Sequence, residues 1–131
     1  MQDVNKQAFI ISAELNTLSA EENKDRTDKL ARLLHALKLP FKRAEGMYKG
    51  TKENSFYIVA EHTYNNVIRN LANEYEQESY LRIYYDGHAE LVYTNGVNKG
   101  EVTSIGKFTK VSSTANLDAY TIIGENVFTC L

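Results

Sequence analysis

Residues 79–93 read SYLRIYYDGHAELVY, and this stretch decides the predicted fold. Two runs rich in aromatic and branched side chains flank Asp86-Gly87, a dipeptide typical of a two-residue hairpin turn. The stretch therefore predicts two antiparallel strands, and the first of them completes a pattern that begins near the N-terminal end of the chain.

Four segments precede this hairpin, each with a recognisable hydrophobic period. Apolar runs of 4–8 residues favour strands, whereas apolar side chains three and four positions apart favour helices. In chain order the segments are a strand at 8–15, a helix carrying Leu30, Leu33, Leu34 and Leu37 that ends before Pro40, a hairpin of strands at 41–48 and 55–61, and a second helix from Thr63 to about Glu78.

The resulting order, β-α-β-β-α-β, predicts an α+β fold of the ferredoxin-like α/β sandwich type, with both helices on one face of an antiparallel sheet. Beyond Asn95 the chain is rich in Gly, Ser, Thr and Asn, and its short apolar runs FTKV and AYTII would add C-terminal edge strands. The other sheet face has no predicted cover, so we expect it to associate with another subunit.

Composition restricts the class of protein. A chain of 131 residues that is 43% hydrophobic and 24% charged fits a single domain spanning 1–131. The net charge of −2 and the lack of a basic run argue against a nucleic-acid binder. No apolar run approaches membrane-spanning length, the N-terminal segment lacks an apolar signal core, and Cys130 is the one cysteine. We expect a cytoplasmic protein without membrane contact or an internal disulfide.

Conventional catalytic motifs are absent from the sequence. There is no P-loop, GxGxxG, GxSxG or HExxH pattern, and His35, His62 and His88 show no ligand spacing. The sequence therefore predicts neither a metal site nor a bound cofactor.

Two polar stretches are candidates for a functional site. The first, GMYKGTKENSF at 46–56, combines two glycines with a tyrosine and a glutamate, although such residues also form ordinary solvated turns. The second, NEYEQE at 73–78, places carboxylates near a helix C-terminus, where the helix dipole disfavours them. That cluster is either a solvated helix face or a binding or intersubunit surface.

LANEYEQ at 71–77 and GHAELVYTNG at 87–96 resemble the phage-encoded S-adenosylmethionine lyases, formerly called S-adenosylmethionine hydrolases. The resemblance covers about residues 9–96. It implies that Tyr48 and Glu53 are the catalytic residues. It further suggests that Glu76 and Gln77 bind substrate or brace a neighbouring subunit. Phe56, or a tyrosine on a strand, is a candidate for stacking on adenine.

The resemblance also implies an activity and an assembly. The activity is degradation of S-adenosylmethionine to 5′-methylthioadenosine and homoserine lactone, which would deplete the host of the methyl donor and counter restriction and modification. The assembly is a GlnB-like homotrimer with active sites between subunits.

Two other functions are compatible with a small domain of this kind. One is a non-catalytic GlnB-like protein that binds an adenine ligand or has a regulatory role. The other is an antirestriction protein that mimics DNA, which the weak net charge of −2 disfavours.

Overall fold

A computed structural model describes residues 4–131; residues 1–3 of the predicted domain, and with them the first residues of the N-terminal segment, lie outside the described residues. The strands are β1 Lys6–Ser12, β2 Phe41–Tyr48, β3 Thr51–Glu61, β4 Ser79–Ile83, β5 His88–Tyr93, β6 Val102–Val111, β7 Ala119–Ile123 and β8 Asn126–Cys130. The helices are α1 Ala20–Ala36 and α2 Asn65–Glu74, the latter preceded by a 3₁₀ turn at His62–Tyr64.

The eight strands described within residues 4–131 form one closed antiparallel barrel, in the order β1-β3-β2-β7-β8-β6-β5-β4. The predicted ferredoxin-like α/β sandwich, with its GlnB-like arrangement, is therefore wrong. The prediction failed because the later strands are not edge additions. Strands β5, β6, β8 and β7 pair in this order between β4 and β2. They join the two edges of the sheet, so no edge strand is left open.

Side chains on alternate positions of the strands contribute to two hydrophobic clusters. In β1 and β3, Phe9, Phe56 and Ile58 pack with helix residues such as Leu34 and Ile68. The intervening side chains Ile10 and Tyr57 join a second cluster with β4, β6 and β8 on the barrel side. Both faces of these strands are thus covered within the chain, which removes the reason for expecting a partner on a bare sheet face.

Helix α1 begins at Ala20, with Ser19 as its N-cap. The Ser19 hydroxyl accepts a hydrogen bond from the main-chain N–H of Glu22, and the Glu22 carboxylate accepts from the main-chain N–H of Ser19. This capping box satisfies two donors at the helix start. Leu30 and Leu34 then turn one face of the helix toward the core.

Helix α2 ends earlier than predicted. Its last helical residue is Glu74, and Glu76 adopts a left-handed backbone with φ of 59°. Residues 75–78 therefore form the connection from α2 to β4 and are not a continuation of the helix.

The stretch at 46–56 is strand and turn, with little loop. Lys49 and Gly50 both have positive φ, at 48° and 83°, as in the two-residue turns that match the twist of a hairpin. The Lys49 N–H donates to the Asp118 carbonyl at 2.7 Å, so the turn is also tied to the start of β7. Strand β3 begins at Thr51, four residues before its predicted start.

Neither of the two helices described in residues 4–131 has the length and apolar character needed to span a membrane.

Candidate functional site

The β2–β3 hairpin places Tyr48 and Glu53 on the same face. Gly46 pairs with Glu53 across the ladder and Tyr48 pairs with Thr51. Because side chains alternate along a strand, Tyr48 shares its face with Gly46 and is a diagonal neighbour of Glu53, at a typical separation of roughly 7–8 Å. The glycine has no side chain, so the position directly opposite Glu53 is open.

Tyr48 is accessible to a ligand. Its side chain is 61% exposed, and the ammonium nitrogen of Lys49 lies 5.3 Å from the centre of its ring. A phenol at the end of a strand, beside a two-residue turn, offers an exposed hydrogen-bond donor on a firmly placed ring.

Glu53 carries a perturbed carboxyl group. Its side chain stays in contact with solvent, yet the surrounding chain removes part of its hydration and raises its pKa to about 7. The negative charge of Glu14 acts in the same direction, whereas the nearby Ser12 hydroxyl opposes the rise. A carboxyl group with a pKa near neutrality is often found in functional sites.

Glu14 is a second carboxylate at this end of the barrel, which the sequence did not single out. It lies just after β1, where its two carboxylate oxygens accept hydrogen bonds from the main-chain N–H and the side-chain amide of Asn54, at 2.8 and 3.2 Å. The Glu14 side chain therefore continues the contact between β1 and β3 beyond the end of their main-chain pairing. The sequence feature that could have indicated Glu14 is its position, as an acidic residue shortly after an apolar strand.

Gln77 is buried and does not face solvent. Its side chain is 6% exposed, and its amide donates to the carbonyls of Glu14 and Tyr75 at 2.9 and 3.2 Å. Glu76, next to it, is exposed and lies 3.8 Å from the Arg26 guanidinium. The two residues of the NEYEQE cluster thus have different environments.

Phe56 lies in the hydrophobic core. It is completely buried, with Phe41 edge-on at 5.3 Å and the Arg43 guanidinium over its ring at 5.3 Å. The structure therefore places this ring between the barrel wall and the helices, away from the exposed face that carries Tyr48 and Glu53.

The GHAELVY motif forms a polar cluster on strands β4 and β5. The Glu90 carboxylate accepts hydrogen bonds from Arg82 and from the Tyr84 hydroxyl, both at 2.7 Å. Burial would raise the pKa of Glu90, but these two donors outweigh it and hold the pKa below its ordinary value. His88 stacks on Tyr84, with ring centres 5.7 Å apart. The polar groups of the motif are thus paired with one another, which gives the motif a structural role.

Two surface depressions do not coincide with the Tyr48–Glu53 face. One of about 360 Å³ is lined by Arg43, Ala44, Glu45, Asn54, Ser55, Ile122 and Gly124. The other, of about 580 Å³, lies at the end of α1 around Leu39 and Pro40. Among residues 4–131 no group of three or more His, Cys, Asp or Glu side chains is arranged to hold a metal ion.

The S-Adenosylmethionine lyase family model matches residues 9–131, nearly the whole chain. The chain belongs to this family. The resemblance seen in the sequence is confirmed, and it extends through the C-terminal strands that the quoted motifs did not include. No curated protein matches the chain.

As a member of the S-adenosylmethionine lyase family, the chain is an enzyme that acts on S-adenosylmethionine. Of the five residues predicted for its site, the structure brings Tyr48 and Glu53 together on one accessible face. It places Gln77 behind that face, in contact with Glu14, and Phe56 in the core. Glu76 is exposed beside Arg26.

Proposed function

We propose that this enzyme cleaves S-adenosylmethionine to 5′-methylthioadenosine and L-homoserine lactone, with Tyr48 and Glu53 as its catalytic residues. The substrate carboxylate attacks the γ-carbon of its own methionyl chain, a C–O bond forms and the C–S bond breaks. The bonding electrons pass to sulfur, which leaves as a neutral thioether. The products account for every atom, so neither water nor a general base is needed.

The observation that carries the proposal is the shared face of Tyr48 and Glu53 in a member of this family. The reaction brings a carboxylate and a sulfonium together and cancels both charges, so a partly dehydrated site favours it over water. Holding the methionyl chain folded contributes as well, because well-oriented intramolecular reactions reach effective molarities of roughly 10⁵–10⁸ M.

Glu53 attracts the cationic end of the substrate and need not remove a proton. Its pKa of about 7 means that the free enzyme is partly protonated there at neutral pH, and a bound sulfonium or ammonium group would favour the ionised form. Tyr48 donates a hydrogen bond to the substrate and restricts the folded chain. Because both charges of the reacting groups diminish in the transition state, Glu53 must contribute through orientation as well as attraction.

The proposal extends to assembly and biological role. Tyr48 is exposed in the single chain, which is consistent with a homotrimer in which a neighbouring subunit completes each site. Glu76, also exposed, is a candidate contact to substrate or to that neighbour. In the cytoplasm of a phage-infected host, the reaction would deplete the methyl donor that restriction and modification enzymes require.

The test is incubation of the purified protein with S-adenosylmethionine, followed by chromatographic identification of products. We expect methylthioadenosine and homoserine lactone, with activity reduced about 100-fold in Glu53→Gln, as for loss of a preorganised electrostatic group. Tyr48→Phe should lose about 10-fold, the value of one hydrogen bond. Glu45→Gln is the matched control, since Glu45 lies on the same hairpin, alternates to the other face and pairs with Lys52 at 3.1 Å.

Three results would contradict the proposal. Equal activity in the parent, Tyr48→Phe and Glu53→Gln would remove these residues from the site. Incorporation of oxygen from isotopic water during the first turnover, with homoserine formed before any lactone, would replace the lyase reaction by hydrolysis. Ligand-induced stabilisation without any product would indicate a binding protein.

A further inference from the structure

We propose that Gln77 is a positioning residue, which acts on the candidate site by holding Glu14 beside Glu53. The inference rests on the proposed role of Glu53. It replaces the expectation that Gln77 itself contacts the substrate. Gln77 is only 6% exposed, and its side-chain amide already donates to the Glu14 carbonyl.

Gln77 is itself firmly placed. Its main-chain N–H donates to the Ala72 carbonyl at 2.9 Å, and its main-chain carbonyl accepts the Thr94 hydroxyl at 2.7 Å. The side-chain amide then reaches the Glu14 carbonyl at 2.9 Å. Gln77 is therefore a rigid support. It is buried and held by these three hydrogen bonds, and the loss of any partner would leave a buried polar group unsatisfied.

Glu14 is held at both ends by different elements. Its carbonyl oxygen accepts from Gln77, behind the site, and its carboxylate accepts from Asn54 on β3, one residue from Glu53. Its main-chain N–H donates to the Ser12 hydroxyl at 3.0 Å. The Gln77 contact therefore fixes the backbone from which the Glu14 carboxylate extends toward β3.

The position of Glu14 decides part of the electrostatics at Glu53. Glu14 raises the pKa of Glu53, after the larger effect of burial. Among the charged residues of β2 and β3, Glu45 and Lys52 lie on the opposite face and pair with each other, and Arg43 also lies on that face. Lys42 shares the face of Glu53 but pairs with Tyr57, four residues further along β3, and Glu61 is the last residue of that strand. In the turn, the Lys49 ammonium lies over the Tyr48 ring. Strand β7 presents uncharged Thr121 opposite Gly46. If Glu14 moved away, Glu53 would ionise at a lower pH.

The experiment compares the pH profile of kcat/KM for S-adenosylmethionine in the parent, Glu14→Gln, Gln77→Met and the double variant. Methionine keeps the length of glutamine but cannot donate. We expect each single variant to move the Glu53 inflection from about 7 toward lower pH, by roughly half a pH unit or more. The double variant should match Glu14→Gln alone, because Gln77 acts only through the Glu14 charge.

A control separates positioning from simple destabilisation. Ser19→Ala removes the cap that the Ser19 hydroxyl forms with the Glu22 N–H, and it should destabilise α1 while leaving the inflection in place. If Gln77→Met lowers stability but leaves the inflection unchanged, or if the double variant shifts it beyond Glu14→Gln, the inference is wrong. Should Gln77→Met fail to fold, Gln77→Asn retains the amide with a shorter reach and is expected to shift the inflection in the same direction.

A second readout does not depend on turnover. Titration of the Glu53 carboxyl carbon by NMR in the ligand-free protein should show the same downward displacement in Gln77→Met and Glu14→Gln. A protein that shows this displacement but degrades no S-adenosylmethionine would refute the proposed function and leave the positioning role intact. Active protein without the displacement would refute the positioning role alone.

Discussion

Replacing Glu53 by Gln should make the folded protein more stable at pH 8 and leave its stability almost unchanged at pH 4.5. The folded-state pKa of Glu53 is about 7, above the ordinary value of 4.5, so the folded state binds this proton more tightly than the unfolded state. Stability from this group is therefore fully present below about 4.5 and is lost as the pH rises through about 7. Glutamine does not titrate and removes the loss.

The size of the effect follows from the two pKa values. The difference between 4.5 and about 7 corresponds to about 3.4 kcal/mol for a fully desolvated group, at about 1.36 kcal/mol per pH unit. Since the Glu53 side chain remains in contact with solvent, screening reduces this to about 1 kcal/mol. In a chain of 131 residues, that is a rise of about 3–5 °C in Tm at pH 8.

The assay is urea denaturation of the parent, Glu53→Gln and Glu45→Gln at pH 4.5 and pH 8. The informative quantity is the change with pH of the difference in unfolding free energy between variant and parent, which cancels the titration of all other groups. The Glu45 side chain is partly exposed and pairs with Lys52, so its variant should show little gain at pH 8. A Glu53→Gln variant that is less stable than the parent at pH 8, or equally shifted at both pH values, would refute the reasoning.

Two further predictions concern the barrel. Gly106→Ala should lower the unfolding free energy by roughly 2–4 kcal/mol, because Gly106 has a φ of 97° and an added Cβ would overlap the main chain of Leu131; unchanged thermal unfolding would contradict this close approach. Phe56→Leu should lower stability by roughly 1–2 kcal/mol while changing the KM for S-adenosylmethionine less than twofold, because the ring is in the core. A tenfold rise in KM at unchanged stability would instead place that ring in the site.

The secondary structure of the first two-thirds of the chain was predictable because its patterns are local. The leucine stripe indicates α1, and the Asp86-Gly87 dipeptide lies in the turn between β4 and β5. Barrel closure was not predictable, because it depends on the long-range pairing of β7 with β2. Short strands rich in Thr and Ser carry a weak signal, and nothing local distinguishes an edge strand from one that closes a ring.

The site was predictable only through the family resemblance. Composition alone left 46–56 as a possible solvated turn, whereas the two-residue turn makes it a continuous hairpin with Tyr48 and Glu53 on one face. Glu14 was missed because its proximity to Glu53 arises from the pairing of β1 with β3. The burial of Gln77 was missed because α2 ends at Glu74, so the following residues turn inward where a longer helix would have kept them at its surface.

The pairing of β2 with β7 has a consequence during protein synthesis. The hairpin that carries Tyr48 emerges from the ribosome well before Ala119–Ile123, the segment that covers its outer edge. At roughly 5–20 residues per second, the nascent chain exposes an unpaired strand for several seconds. Lys42 and Arg43 lie on that strand just before the segment that β7 later covers, and charged side chains on an edge strand discourage pairing with a neighbouring chain. These side chains would thus reduce aggregation between nascent chains on neighbouring ribosomes before the barrel closes.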